Sequence, residues 1–167
     1  MAKVLVTGAG GYIGSVATYL LLQQGHEIVA VDNFSTGYKQ PLELLQEKFG
    51  QDKLRWYEKD IAEDLSEIFD QNKGIESVLH YAAFCSVDES VKNPQKYFSN
   101  NVDGTANLLS QLVKNGIKDL VFSSTCAVYG NAQYVPIDEK HPTYPENPYG
   151  ESKLMAEKAI EKHARDF

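Results

Sequence analysis

Near the end of the 167-residue chain, Tyr149 stands four residues ahead of Lys153. The segment that follows, from Ser152 to Ile160, is built mostly of good helix formers. Residues four apart on a helix share a face, one turn above the other. The Lys153 ammonium can therefore lie near the Tyr149 hydroxyl. A phenol titrates at about pH 10 in water, and a fixed positive charge beside it stabilises the phenolate and lowers that value. A tyrosine tuned in this way can act as a general base near neutral pH. An amphipathic helix carrying one aromatic and one lysine has the same spacing, so the pair gains meaning only from the rest of the chain.

A second constellation lies at the start. Gly8-Ala9-Gly10-Gly11-Tyr12-Ile13-Gly14 separates a β-branched run, Lys3–Thr7, from an apolar helical stretch over 12–24. Glycines let the backbone approach a pyrophosphate closely, and a helix N-terminus offers unpaired N–H groups to the anion. Asp32 ends the next predicted strand, about twenty residues further on, where a carboxylate can accept hydrogen bonds from an adenosine ribose diol. The same carboxylate repels a 2′-phosphate, which favours NAD over NADP. The turn lacks the Gly-Lys-Ser/Thr ending of a P-loop.

The elements that must hold these residues alternate along the chain. Predicted strands fall at 3–7, 27–32, 54–58, 77–82 and 118–123, and helices at 12–24, 42–49, 65–72 and 94–114, with a last helix after the proline-containing loop that ends near Pro148. Gly25 is placed to end the first helix. Short apolar strands alternating with helices imply βαβ units and a parallel sheet covered on both faces. The polar stretch 130–147, with Pro136, Pro142 and Pro145, is long for a connection in a compact domain, which marks it as functional or mobile.

Composition narrows the function further. The net charge of −7 argues against nucleic acid or an anionic membrane as partner, since neutralising phosphates takes a basic surface. The N-terminal apolar run is short and broken by glycines, unlike a signal peptide or a spanning helix. The four histidines and two cysteines show no metal-ligand spacing, and no metal is expected. Without a disulfide pattern, a reducing cytoplasm is the expected compartment. Cys126 reads as small core packing, since cysteine is often buried.

Taken together, GAGGYIGS, VDNFSTG, Asp60-Ile61, HYAAFCSVDESVKNP, YFSNNVDGTANLL, FSSTCAVYG and NPYGESKLMAE resemble the UDP-glucose 4-epimerases of the extended short-chain dehydrogenase/reductase family. The likeness runs over nearly the whole chain. It implies an α/β fold: a doubly wound parallel sheet of Rossmann type that binds NAD, with strand order 3-2-1-4-5. The family turn G-x-x-G-x-x-G is matched by Gly8, Gly11 and Gly14.

The resemblance also implies roles. Tyr12 and Ile13 would sit at the pyrophosphate. Asp32, Asn33, Phe34, Ser35, Thr36 and Gly37 would hold the adenosine ribose, and Asp60 and Ile61 would flank the adenine. Tyr81, Ala82, Ala83, Phe84 and Cys85 would line the cofactor cleft, with Asn101 toward the nicotinamide. Thr125 stands where the family has a catalytic Ser or Thr. Tyr149 would be the acid/base, and Lys153 would bind the nicotinamide ribose and depress the Tyr149 pKa. Simpler readings exist for two of these: Asp60 as a strand-end cap and Asn101 as an ordinary helix residue.

Two positions depart from the pattern. Cys85 replaces a lysine found in some epimerases, removing a charge contact that would otherwise hold NAD. Thr125 keeps the hydroxyl but adds a β-branch that restricts χ1.

The implied reaction inverts C4 of a UDP-sugar, interconverting UDP-glucose and UDP-galactose through a 4-keto intermediate. Tyr149 takes the hydroxyl proton, Thr125 hydrogen-bonds that oxygen, and NAD supplies the redox step. A 4,6-dehydratase would carry Asp-Glu where this chain has Cys126-Ala127. Epimerases of uronic-acid or pentose nucleotides stay open, as does an NAD-binding module without catalysis. Family members continue beyond the Tyr/Lys helix into a substrate domain. The expectation is therefore an incomplete NAD-binding domain over 1–167, inactive alone. Its sheet would end at the fifth strand, and it would form a homodimer through the 94–114 helix and the Tyr/Lys helix.

Overall fold

The computed structural model describes all 167 residues. They form two compact units, one of residues 1–82 and 107–123, the other of residues 83–106 and 124–167.

The first unit is a five-stranded parallel sheet, order β3-β2-β1-β4-β5, made of β1 (Lys3–Thr7), β2 (Glu27–Asp32), β3 (Leu54–Glu58), β4 (Ile75–His80) and β5 (Asp119–Phe122). Successive side chains of a strand point to opposite faces, and the two central strands use both. Val4, Val6, Ile28 and Ala30 pack with Leu22 of α1 (Tyr12–Gln23) and Leu42 of α2 (Gln40–Phe49). Leu5, Val29, Val31 and Val78 pack on the other side with Ile68 and Phe69 of α3 (Ser66–Gln71) and with Leu108 and Leu112 of α6 (Gly104–Lys114). This double cover explains why β1 and β2 read as unbroken apolar runs rather than alternating ones. Leu5, Leu54 and Leu108 are fully buried, and truncating any of them to Ala would cost about 2–5 kcal/mol. The sheet thus has the Rossmann-type order that the sequence implies. The chain leaves α1 at Gly25, whose N–H donates to Leu22 O while His26 N–H reaches back to Leu21 O, the paired closure of a helix end.

The expected helix over 94–114 is present as one helical run with a π-helical turn inside it, and a further short helix precedes it. A short helix α4 (Val87–Lys92) comes first. Asn93, which precedes Pro94, is forced out of helical backbone (φ −134°, ψ 62°), and α5 (Pro94–Tyr97) starts anew. A π-helical turn, Phe98–Asp103, then joins α5 to α6. The last helix, α7 (Pro148–Asp166), is capped by the Asn147 side chain, which accepts from Gly150 N–H at 2.9 Å. Its buried face, Gly150, Ser152, Lys153 and Ala156, packs on α4, α5 and the π-helical turn.

Strand β4 ends at His80, so Tyr81 and Ala82 follow the strand rather than finishing it. Cys126, expected in the core, is instead exposed on a short 3-10 turn, Cys126–Val128, where Val128 is the residue that turns inward. The stretch 130–147 has no helix or strand but is pinned from within. His141 is buried, its Nε2 accepts from Gln133 N–H at 3.1 Å, and its Nδ1 lies 2.8 Å from Pro142 O. A carbonyl can only accept, so the ring hydrogen sits on Nδ1. The rings of Tyr129 and Tyr134 lie against it.

Candidate active site

In the first unit the glycine turn is built by close backbone approach. A Cβ on Gly14 would meet Gly8 O at 2.1 Å, so only glycine lets α1 start this near the end of β1. One on Gly10 would meet the Phe34 ring at 2.7 Å. Gly10, outside the G-x-x-G-x-x-G positions, is therefore also required. Gly11 is the N-cap of α1 and carries no side-chain cap, and no acid occupies the first turn. Tyr12 and Ile13, the first helical residues, are exposed. An anion would meet open N–H groups there and no competing carboxylate, which fits a pyrophosphate.

Asp32 is buried at the end of β2 and already oriented. Its Oδ2 accepts from Gly10 N–H at 2.9 Å and its Oδ1 from Phe34 N–H at 2.7 Å. The second bond accompanies a backbone rarity: Phe34 sits at φ 52°, a region a bulky residue seldom enters. The loop then closes on the glycine turn, with Tyr38 N–H donating to Gly10 O at 2.9 Å and Gly37 against Gly10. Ser35 N–H donates to Asn33 Oδ1, and Ser35 and Thr36 are exposed. Asn33 Nδ2 donates to Asp60 Oδ2 at 2.7 Å, while Asp60 Oδ1 accepts from Ala62 N–H. Asp60 is thus both a turn cap and a partner of the ribose loop. Ile61 beside it is buried. Tyr81 is fixed to β1 by its N–H on Thr7 O, and Ala82 approaches Gly8.

In the second unit Asn101 is 1% exposed, and its amide is fully used. Oδ1 accepts from Phe84 N–H at 2.9 Å, and Nδ2 donates to Phe84 O and to Ser152 Oγ, both at 3.0 Å. This is a polar clamp rather than an ordinary helix position, and it sits in the π-helical turn, an irregularity often found at functional sites. Thr125 caps the 3-10 turn, its Oγ1 accepting from Ala127 N–H at 3.2 Å. That contact uses a lone pair and leaves the hydroxyl hydrogen free to turn toward another oxygen. Tyr149 is half-buried in the first turn of α7, with the ring of Tyr97 edge-on at 6.3 Å. Lys153 follows one turn later and is 3% exposed. Burial pushes its ammonium down to about 8, against the upward pull of Glu157 and Cys85. Cys85 is an exposed free thiol next to Ala83 and Phe84.

Sequence reading missed the network behind Tyr97. Its side chain is fully buried, its hydroxyl accepts from Ser86 N–H and donates to Glu89 Oε2, and Glu89 also holds Lys96. Burial and the Glu89 carboxylate push the Tyr97 phenol up to about 12. It stays protonated at any ordinary pH, unlike a candidate base. The available signal was Ser86-x-x-Glu89, a helix-start pattern in which Ser86 Oγ caps Glu89 N–H.

Residues 4–167 match one protein family over almost their full extent. The chain belongs to the NAD dependent epimerase/dehydratase family. Among curated members, the UDP-glucose 4-epimerase of Lacticaseibacillus casei is 44% identical over 159 residues, covering 94% of this chain and 45% of that protein. UDP-arabinose 4-epimerase 1 of Arabidopsis thaliana is 41% identical, covering 96% of this chain and 39% of that protein. Among solved structures, UDP-glucose 4-epimerase from Bifidobacterium longum in complex with NAD+ and UDP superposes with a TM-score of 0.92 at 34% identity. That match covers 99% of this chain and 50% of the solved one. This family member spans about half the length of the curated relatives it matches. No helix is long and apolar enough to cross a membrane.

Proposed function

We propose that this chain is the NAD-binding, catalysis-bearing half of a nucleotide-sugar 4-epimerase, and that the whole enzyme interconverts UDP-glucose and UDP-galactose. The observation that carries the reading is the buried Lys153 one helical turn after Tyr149, in a chain that also holds a glycine turn and the oriented Asp32. A plain amphipathic helix has no reason to bury an ammonium at some energetic cost.

The residues divide the labour. The open N-terminus of α1 takes the pyrophosphate, and Asp32 takes the adenosine ribose diol, with Asn33 through Gly37 shaping the pocket and Asp60 and Ile61 beside the adenine. Ala83, Phe84, Cys85 and Asn101 line the nicotinamide end, and Lys153 holds the second ribose. Tyr149 takes the proton of the sugar 4-hydroxyl and later returns it. Thr125 donates a hydrogen bond to the same oxygen, its lone pair being occupied by Ala127 N–H. Bound NAD supplies the reversible oxidation of that carbon.

UDP-glucose and UDP-galactose are favoured as substrates because the L. casei epimerase is among the most similar relatives. The Arabidopsis UDP-arabinose enzyme makes a pentose nucleotide the next substrate to assay. Two free cysteines support a reducing, cytoplasmic setting. A homodimer through the 94–114 helical run and α7 belongs to this reading, and sedimentation at micromolar concentration would reveal it.

The test of function is turnover. Alone, the chain should bind NAD and leave UDP-galactose unchanged. Joined to the C-terminal half of the L. casei relative, it should form UDP-glucose in a coupled assay. A fusion that binds NAD but never turns over any UDP-hexose or UDP-pentose would overturn the epimerase reading and leave a binding module.

A further inference from the structure

Beside Asp32 the sheet carries a second acid. Glu58 ends β3 and is the register partner of Asp32 across the β2–β3 ladder. Its carboxylate is not idle, because Glu58 Oε2 pairs with the Lys39 ammonium. The same ammonium lies over the Phe34 ring, 5.3 Å from its centroid. Phe34 is the residue whose N–H holds the Asp32 carboxylate. One cation therefore stands at the ribose loop, tied on one side to an acid and on the other to an aromatic face.

Lys39 is an unusual choice for its place. It is the N-cap of the ten-residue α2, where the helix already presents partial positive charge. A lysine there is disfavoured unless an anion answers it, and Glu58 does so. Lys59, the other nearby base, is paired with Glu63. Asp60 adds a further carboxylate on the same side of the loop, held by Asn33 and Ala62. With Glu58 in place, Lys39 is neutralised and the acids dominate. Without the Glu58 charge, Lys39 and the N-terminus of α2 would offset the remaining carboxylates at the ribose.

We propose that the Glu58–Lys39 pair is a second determinant of cofactor choice: Glu58 masks Lys39, and the masking helps Asp32 reject a 2′-phosphorylated dinucleotide. The proposal rests on the NAD-binding reading above. A 2′-phosphate carries close to two negative charges at neutral pH, so it senses each nearby charge twice. NAD has no charge at that position and should be nearly indifferent.

The experiment titrates the purified chain with NAD and with NADP by calorimetry, in the unmutated form and in Glu58→Gln, Lys39→Met and the double variant. Both substituted side chains reach solvent, and retained NAD binding reports that each variant is folded. Glu58→Gln should leave NAD affinity within about twofold and tighten NADP about fivefold, the scale of an exposed charge acting on a dianion. Lys39→Met alone should weaken NADP further and leave NAD nearly unchanged, because it leaves the Glu58 carboxylate unanswered. The double variant should lose most of the gain. An unchanged ratio in Glu58→Gln with NAD binding intact overturns the proposal, as does a gain that survives Lys39→Met. Failure of the unmutated chain to bind either dinucleotide overturns the cofactor reading itself, and this proposal with it.

Discussion

Asn101 Nδ2 donates to Ser152 Oγ at 3.0 Å, and that hydroxyl donates in turn to Tyr149 O at 2.7 Å. The first turn of α7, which carries the candidate base, is thereby tied to a buried amide in the π-helical turn. Asn101→Ala would strand Phe84 N–H and Phe84 O and leave the Ser152 hydroxyl only its bond to Tyr149 O. Buried groups left unpaired cost about 1–3 kcal/mol each, softened where water enters. The expected loss is about 2–4 kcal/mol in urea unfolding. A loss below about 1 kcal/mol would mean that Asn101 is the ordinary helix residue that its sequence position allows.

Asp32 should govern cofactor choice directly. The unmutated chain should bind NAD more tightly than NADP, and Asp32→Ala should weaken NAD and narrow the difference. The same substitution releases Gly10 N–H and Phe34 N–H, so the Phe34 backbone at φ 52° loses the bond that holds it. Equal affinity for the two dinucleotides in the unmutated chain, measured by calorimetry, would refute the assignment.

Much of this was legible beforehand because its causes are local. Strands β1 and β2 announce themselves by unbroken apolar runs, the turn by its glycines and Asp32 by its distance from the turn. What escaped had tertiary causes. Helix α4 is six residues long, too short to leave a period, and its start signal at Ser86 and Glu89 is diverted when Glu89 turns to Tyr97 and Lys96. The π-helical turn has no compositional mark, and it accompanies the aiming of Asn101 at Phe84. Cys126 reads as core by type, yet the 3-10 turn points Val128 inward instead. Gly10 lay outside the family spacing because its need arises from the Phe34 ring, 24 residues on.

Tyr149→Phe isolates the proposed base while keeping the ring that packs edge-on to Tyr97. In the chain joined to a C-terminal half, NAD should bind as before, and turnover should fall by about a hundredfold or more, the scale of general-base loss. Thr125→Val should cost less, since it removes a hydrogen bond to the oxygen and not the proton acceptor. Near-normal turnover in Tyr149→Phe would assign the base to another residue.

Lys153 should trade stability for function. Its folded value of about 8 lies below the ordinary lysine value of 10.5 because burial disfavours the charged form. Between those values the unfolded chain binds more protons than the folded one, so stability should rise with pH across that window. Below about pH 8 the folded state carries the full penalty, up to about 3 kcal/mol for a shift of this size. Lys153→Met keeps the aliphatic stem and removes the charge. At pH 7 the variant without cofactor should be more stable than the unmutated chain by about 1–3 kcal/mol, and its gain should shrink by pH 10. NAD binding should weaken at the same time, because the ammonium proposed to hold the nicotinamide ribose is gone. Urea unfolding at pH 7 and pH 10, with NAD titrations at pH 7, reads all of these. A less stable Lys153→Met at pH 7 would show that the partners of the ammonium outweigh its burial. The lysine would then hold the fold together rather than store strain for the cofactor to relieve.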